Sequence, residues 1–203
     1  MDILEFVGIP TGNVCDSNGL LGSMDSGVQA LDRNMTVVGR AFTVECPPGD
    51  NLTIHKAILE AQPGDVLVVN CQGFLHAGCF GELMATACVV KGIAGVVIDG
   101  ACRDKNDLIE MNFPTFVRAT CPNGTVKETC GKTNVPVVCG GLTVNPGDVI
   151  VGDCDGLVVI PQEKAEEVLE KSKLKKAKEA EIRQKLQQGI TTAELFNLTP
   201  KFR

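Results

Sequence analysis

Apolar residues fall into short runs separated by Gly, Pro, Asp and Asn, and the spacing inside each run predicts an element. From Met35 to Cys46 the chain is rich in β-branched and apolar residues (Thr36, Val37, Val38, Phe42, Thr43, Val44), which predicts a strand interrupted at Gly39 and ended by Cys46-Pro-Pro-Gly-Asp50. Asp50 or Asn51 then caps a short helix whose Ile54, Ala57, Ile58 and Ala61 share one face. Pro63-Gly-Asp65 is a turn feeding Val66-Leu-Val-Val69, a buried strand, and Pro146-Gly-Asp148 feeds Val149-Ile-Val151 in the same way. Aligned, residues 63–73 and 146–156 share seven identities in eleven positions, which marks two similarly built strand entries rather than a solenoid.

Between those entries, Gly81 to Val90 reads as a helix ended by Lys91-Gly92, and Ala94 to Ile98 as a strand running into Asp99-Gly-Ala-Cys-Arg-Asp104. A second helix spans Lys105 to Met111. Strands follow at Thr115–Arg118, Val135–Cys139, Val149–Val151 and Leu157–Ile160. The first thirty residues mix turn formers with short apolar pieces, punctuated by Thr11-Gly-Asn13 and Asp16-Ser-Asn-Gly19. Pro161 opens a long helix to about Gln188, with Gly189 as its stop. Its apolar face is thin beyond Leu169, so it packs on a partner subunit or lies solvated on the surface. Strand–helix alternation in the middle and a mostly β stretch later predict a single mixed α/β domain over 1–203, with 161–203 a helical extension.

Composition narrows the function classes. At 203 residues with 44% hydrophobic residues and a net charge of -6, the chain has the content of one folded domain. An acidic balance (19 Lys+Arg against 25 Asp+Glu), no Trp and no Tyr argue against a nucleic-acid face. The longest apolar candidate, Val89 to Ala101, is broken by Lys91 and Asp99, so no membrane span is expected. The opening Met-Asp-Ile-Leu-Glu-Phe is acidic, unlike a secretory signal. None of the ten cysteines forms a Cys-x-x-Cys pair; most sit in apolar runs as small hydrophobes, and a reducing cytoplasm is their simplest compartment.

Two pieces could carry chemistry. Glycines 73, 78 and 81 precede the helix at 82, and a glycine-rich loop meeting a helix N-terminus leaves the amides of Glu82, Leu83 and Met84 suited to a carboxylate or phosphate. Such a loop is also an ordinary turn. Arg103-Asp104 lies just past an apolar strand, where open α/β folds bind ligands. Arg offers a planar fork for an oxyanion and Asp a hard oxygen for Mg²⁺ or Mn²⁺, although such pairs also serve as surface ion pairs or helix caps. His55, beside Ile54, reads as partly buried and structural, while His76 in the glycine loop is the better candidate to line a pocket. No Ser-His-Asp order or Gly-x-Ser-x-Gly elbow is present, and nothing singles out a cysteine nucleophile.

Gly81-Glu-Leu-Met-Ala-Thr-Ala87 followed by Gly95-Val-Val-Ile-Asp-Gly-Ala-Cys-Arg-Asp104 resembles the family uniting class II 4-hydroxy-4-methyl-2-oxoglutarate aldolases with the regulator of ribonuclease activity A. Val38-Gly-Arg-Ala-Phe-Thr-Val44, Asp50-Asn51, Pro63-Gly-Asp-Val66, Asn134-Val-Pro-Val137, Cys139-Gly-Gly141 and Val151-Gly-Asp-Cys-Asp-Gly156 extend it in order over roughly residues 10–198. The resemblance implies a swivelling β/β/α three-layer domain assembled either as a ring-shaped trimer or as a hexamer of two such rings. It implies a divalent-metal-dependent lyase releasing pyruvate from a 4-hydroxy-2-oxo acid, with accompanying oxaloacetate decarboxylation. The turn 81–84 (Gly81, Glu82, Leu83, Met84) would hold the substrate carboxylate, Arg103 the 2-oxo oxygen, and Asp104 would be the only direct protein ligand of Mg²⁺ or Mn²⁺. Glu179 of a neighbouring subunit, with Glu181 as runner-up, would steady waters around the metal. The aldolase branch carries an acid separated by twenty residues from the Arg-Asp pair, where the ribonuclease-regulator branch carries Gly; Glu82 favours the enzyme. The alternative is a non-catalytic regulator of ribonuclease acting through protein contacts. A methyltransferase reading has no support, because no glycine-rich loop follows the first strand with a downstream acid for a ribose.

Overall fold

A computed structural model describes residues 1–202. Its centre is one mixed sheet. The strands are β1 (Gln29–Ala30), β2 (Val37–Glu45), β3 (Asp65–Gly78), β4 (Gly95–Cys102), β5 (Thr115–Thr120), β6 (Lys132–Thr133), β9 (Val149–Asp153) and β10 (Gly156–Ile160). They run in the order β1-β5-β4-β3-β2-β9-β10, with β6 paired to the end of β2. The central pairs β2–β3, β3–β4 and β4–β5 are parallel, and β9 joins β2 antiparallel. A hairpin of β7 (Val137–Cys139) and β8 (Leu142–Val144) forms a separate two-stranded sheet.

The unbroken apolar run of β3 follows from burial on both faces. Leu67 and Val69 face helices α2 (Leu52–Glu60), α3 (Glu82–Lys91) and α4 (Lys105–Glu110), and pack with Ile54, Ala57, Met84, Ala85, Cys88 and Leu108. Val66 and Val68 face the hairpin and pack with Val137, Cys139 and Val144. Hairpin, sheet and helices make three layers, the β/β/α arrangement expected. The Pro-Gly-Asp entries open β3 and β9, and each has its glycine in the left-handed region (Gly64 φ 86°, Gly147 φ 86°).

Three elements depart from expectation. Gly73 does not belong to a loop: β3 continues through a bulge with Gln72 (φ 57°) and Gly73 (φ 69°) left-handed, and ends only at Gly78. The strand expected at Val135–Cys139 is split, because Lys132 and Thr133 pair with β2 while Val137 begins the hairpin. Thr11–Ser17, expected to be turn-like, is a helix, α1, with Val14 buried against β9, β10 and the start of the long C-terminal helix. Helix α5 (Ala165–Gln187) buries Val168 and Leu169 in that cluster. Further along it is tied to the N-terminal segment by Lys173–Glu5 (2.6 Å), Lys175–Asp16 (2.9 Å) and Asn13 donating to Glu179 (2.8 Å). Its first half therefore packs on its own chain. Among the described residues, no helix is long and apolar enough to cross a membrane.

Candidate active site

The site forms where the parallel strands β3 and β4 end and their chains turn toward α3 and α4. Crossing segments approach closely there, and glycine makes room. A Cβ on Gly78 would lie 2.8 Å from Arg103 Cβ and 2.7 Å from the Cys121 carbonyl, and one on Gly81 would strike the Asp104 carboxylate. Neither glycine has a positive φ, so both are needed for space. Backbone bonds knit the junction: the Cys79 N–H donates to Ala101 O (2.9 Å) and the Arg103 N–H to Phe80 O (2.9 Å).

Asp104 turns β4 into α4 from a left-handed conformation (φ 56°, ψ 42°), a placement that costs a non-glycine residue about 1–2 kcal/mol and clusters at functional sites. Its Oδ2 accepts from the Glu82 N–H (3.1 Å) and stands 3.4 Å from Arg103 Nε. Its Oδ1 has no protein donor among the described residues. At the start of α3, the Met84 N–H donates to Gly81 O (3.1 Å), while the Leu83 N–H has no acceptor among the described residues. The Glu82 carboxylate accepts from Thr86 Oγ1 (2.8 Å), and Glu82, expected in the site, is outside the cleft lining. One amide of the expected carboxylate cradle is thus already given to Asp104.

These residues line a cleft of about 140 Å³, into which Gly81, Leu83, Met84, Arg103 and Asp104 all project. Asn51, His55, Gly124, Thr125 and Lys127 complete it, and sequence reading gave none of them a place in the site. The two histidines exchange roles. His55 is exposed on the cleft side of α2, while His76 lies outside the cleft lining, edge-on to Phe74 (5.5 Å). Partial desolvation against the cleft wall and the charge of Lys127 hold the His55 imidazole below its ordinary value, which favours the neutral ring at pH 7. Thr125 and Lys127 sit on residues 121–131, a strap fixed by Asp50. Asp50 Oδ1 caps the Leu52 N–H (2.9 Å), and its Oδ2 accepts from Glu128 (2.9 Å) and Thr129 (2.6 Å). Burial pushes the Asp50 carboxyl up, but these three amides prevail and hold it below the usual range.

The donor set fits a hydrated hard cation. Among the described residues no group of three His, Cys, Asp or Glu side chains could hold a metal, which argues against a closed zinc site. Mg²⁺ or Mn²⁺ needs less, since one carboxylate, water and substrate oxygens complete the shell. Asp104 Oδ1 is such a carboxylate oxygen. Glu179 is elsewhere, on α5 against Asn13 and Lys175 (3.3 Å), and reaches no cleft residue of its own chain. The ten cysteines are free; six are buried, and the Cys71 thiol lies 3.5 Å from that of Cys79, which lines the cleft.

Residues 11–159 match the model of the RraA-like family, described as Aldolase/RraA. The chain belongs to that family. A relative from Halalkalibacterium halodurans, named "Putative 4-hydroxy-4-methyl-2-oxoglutarate aldolase", is 42% identical over 86% of this chain and 83% of its own length. An uncharacterised protein of Methanocaldococcus jannaschii is 36% identical over 98% of this chain and 94% of its own. The crystal structure of Streptomyces coelicolor RraAS2, described as an unusual member of the RNase ES inhibitor RraA protein family, superposes with a TM-score of 0.82 at 31% identity, covering 90% of this chain and 96% of that one. The RraA-like fold thus holds for both names the family carries, and the residues of the cleft have to separate them.

Proposed function

We propose that this RraA-like protein is a class II pyruvate aldolase. It cleaves a 4-hydroxy-2-oxo acid of the 4-hydroxy-4-methyl-2-oxoglutarate type to pyruvate and also decarboxylates oxaloacetate. The observation that carries this reading is the convergence of Arg103, Asp104 and the N-terminus of α3 (Gly81, Leu83 and Met84) at one cleft. The name of the Halalkalibacterium relative supports it. The Leu83 N–H at the α3 start, with the positive end of the helix behind it, receives the substrate carboxylate. Arg103 binds the 2-oxo oxygen. A divalent cation held by Asp104 would supply Lewis-acid polarisation of the same oxygen.

Breaking the C3–C4 bond sends an electron pair toward the 2-oxo oxygen as an enolate, and the fixed Arg103 guanidinium stabilises that charge as it develops. Glu82, acting through an intervening water, takes the C4 hydroxyl proton and later returns a proton to C3. Loss of CO₂ from oxaloacetate leaves the same enolate, so both activities share these residues. Glu179 can serve a site only on a second copy of the chain, which ties its proposed role to a trimeric or hexameric assembly. Free thiols throughout fit a reducing cytoplasm.

The test is a lactate-dehydrogenase-coupled pyruvate assay across 4-hydroxy-2-oxo acids and oxaloacetate, with Mg²⁺ or Mn²⁺ and after chelation. Metal-stimulated pyruvate release that disappears in Asp104→Ala, with far-UV circular dichroism unchanged, is the expected result. Likeness to Streptomyces RraAS2, a member of an RNase inhibitor family, favours a second reading, a ribonuclease regulator. Ribonuclease capture by the purified protein with no pyruvate released from any substrate would establish that reading instead.

A further inference from the structure

An irregularity of β3 brings together two thiols that the aldolase chemistry does not use. Residues eight apart on a regular strand stand roughly 26 Å apart. Here Asn70 pairs with Asp99, Phe74 with Gly100 and Gly78 with Ala101, so eight steps along β3 match two along β4. The intervening chain loops out, and the Cys71 and Cys79 sulfurs meet at 3.5 Å. Gly100 makes the room, since a Cβ there would lie 2.9 Å from Cys71 Cβ. The two thiols differ in access. Cys79 lines the cleft, and its Sγ donates to Ala101 O (3.3 Å), whereas Cys71 is outside that lining and only 3% exposed. A third thiol, Cys46, hydrogen-bonds with Cys71 and donates to Asp50 O (2.9 Å), but it is fully buried. The bond to Cys71 and burial hold the Cys46 thiol above its ordinary range, which keeps it protonated and inert. Of the three, Cys79 is the one that a small solute entering the cleft meets, and Cys71 stands directly behind it.

We infer that Cys71 and Cys79 form an oxidation site, a dithiol that hydrogen peroxide converts to a disulfide and that thereby switches the cleft off. The Cys79 sulfur attacks one peroxide oxygen and breaks the O–O bond. A sulfenic acid forms, and the departing hydroxide leaves as water with the thiol's proton. The Cys71 sulfur then displaces the sulfenic hydroxyl, forming the S–S bond, and its proton leaves with that hydroxyl as a second water. The protein loses two hydrogens, and one peroxide is reduced to two waters. Bonded sulfurs stand about 2.05 Å apart, so the pair must close by about 1.5 Å. Cys79 cannot move that far without disturbing the site. Its carbonyl accepts from Asn51 Nδ2 (3.0 Å), and the next one, Phe80 O, accepts from the Arg103 N–H (2.9 Å). On either side, Gly78 and Gly81 pack directly on Arg103 and Asp104. The effect on turnover rests on the aldolase reading; the disulfide does not.

The experiment treats the reduced full chain with hydrogen peroxide, blocks the remaining thiols with iodoacetamide and maps the peptides by mass after chymotrypsin. That protease cuts after Phe74 and Leu75 and so separates the two cysteines. A linked Cys71–Cys79 peptide that vanishes with dithiothreitol is the expected product. In parallel, pyruvate release should fall at least about tenfold and return with dithiothreitol. Cys71→Ala should keep its basal turnover and lose the dithiothreitol-reversible part of the inactivation. Cys71→Ser serves as a second variant, and a thermal melt confirms that each is folded. Absence of the linked peptide, or an equal reversible loss in the Cys71 variants, overturns the oxidation site. A linked peptide that leaves turnover unchanged overturns the switch. Reduced protein that releases no pyruvate overturns the aldolase reading, and the linked peptide still decides the oxidation site.

Discussion

Gly81→Ala isolates the geometry on which the chemistry depends. The backbone at Gly81 is extended (φ -159°, ψ -171°), a conformation open to any residue, so the substitution adds no backbone strain. The new methyl collides with Asp104 Oδ2 and lies 3.1 Å from Arg103 Cγ and 3.3 Å from Asp104 Cγ. The atom it strikes ends a side chain at the protein surface, so the clash is relieved by swinging Asp104 aside and not by moving the sheet. That movement breaks the Glu82 N–H bond to Asp104, and alanine is also a poorer N-cap than glycine. Hydrogen bonds to charged groups contribute about 1.5–3 kcal/mol when shielded, and this one is exposed, so the expected stability loss is about 1–2 kcal/mol. For a chain of this size that lowers Tm by roughly 2–8 °C. Displacing a reacting group by about an ångström can cost about a hundredfold in rate, so turnover should fall far more than stability. The coupled pyruvate assay and a circular-dichroism melt measure the two effects side by side. Turnover within threefold of wild type, with a normal melt, would refute the claim that Asp104 and Arg103 work only in the positions seen here.

Other expectations follow from the same geometry. Arg103→Lys should lower kcat at least about tenfold, roughly 1.4 kcal/mol, because an ammonium cannot reproduce the planar fork; full turnover with oxaloacetate and Mg²⁺ would remove Arg103 from its assigned role. Asp99, nearly buried, is bonded to Arg118 Nε and accepts from the Gly140 N–H (2.8 Å), and Arg118 also reaches Asp25 (2.9 Å). Breaking a largely buried pair by Asp99→Ala should cost about 3–5 kcal/mol in a urea melt, and a loss below about 1 kcal/mol would show the pair to be dispensable. His55 titrates below its unfolded value, so its neutral form favours folding. That contribution is fully present above pH ~6.5 and is lost as pH falls through the depressed folded value. Because part of the depression comes from Lys127, Lys127→Met should move the imidazole pKa upward, read from the ring C–H shifts by NMR. An unmoved titration would mean that burial alone sets it.

Periodicity and turn chemistry were enough to read β2, the first half of β3, β9, β10 and α3 from the residues, because those signals are local. A strand buried on both faces must be apolar at every position, and a helix ending at Gly92 (φ 78°) needs a residue that tolerates the left-handed cap. Arg103-Asp104 past an apolar strand stood out for the same reason: charge directly after a buried run has to emerge somewhere specific. The rest came from tertiary structure. Thr11–Ser17 is a poor helix by propensity and exists because Val14 is buried against β9, β10 and α5. The strap at 121–131 has no period at all; its shape is set by one buried aspartate, Asp50, gathering amides from far along the chain. Only that long-range gathering brings Lys127 to the cleft beside His55. Residues distant in sequence meet through hydrogen bonds of irregular backbone, and no local pattern of apolar and polar positions records where such bonds will close.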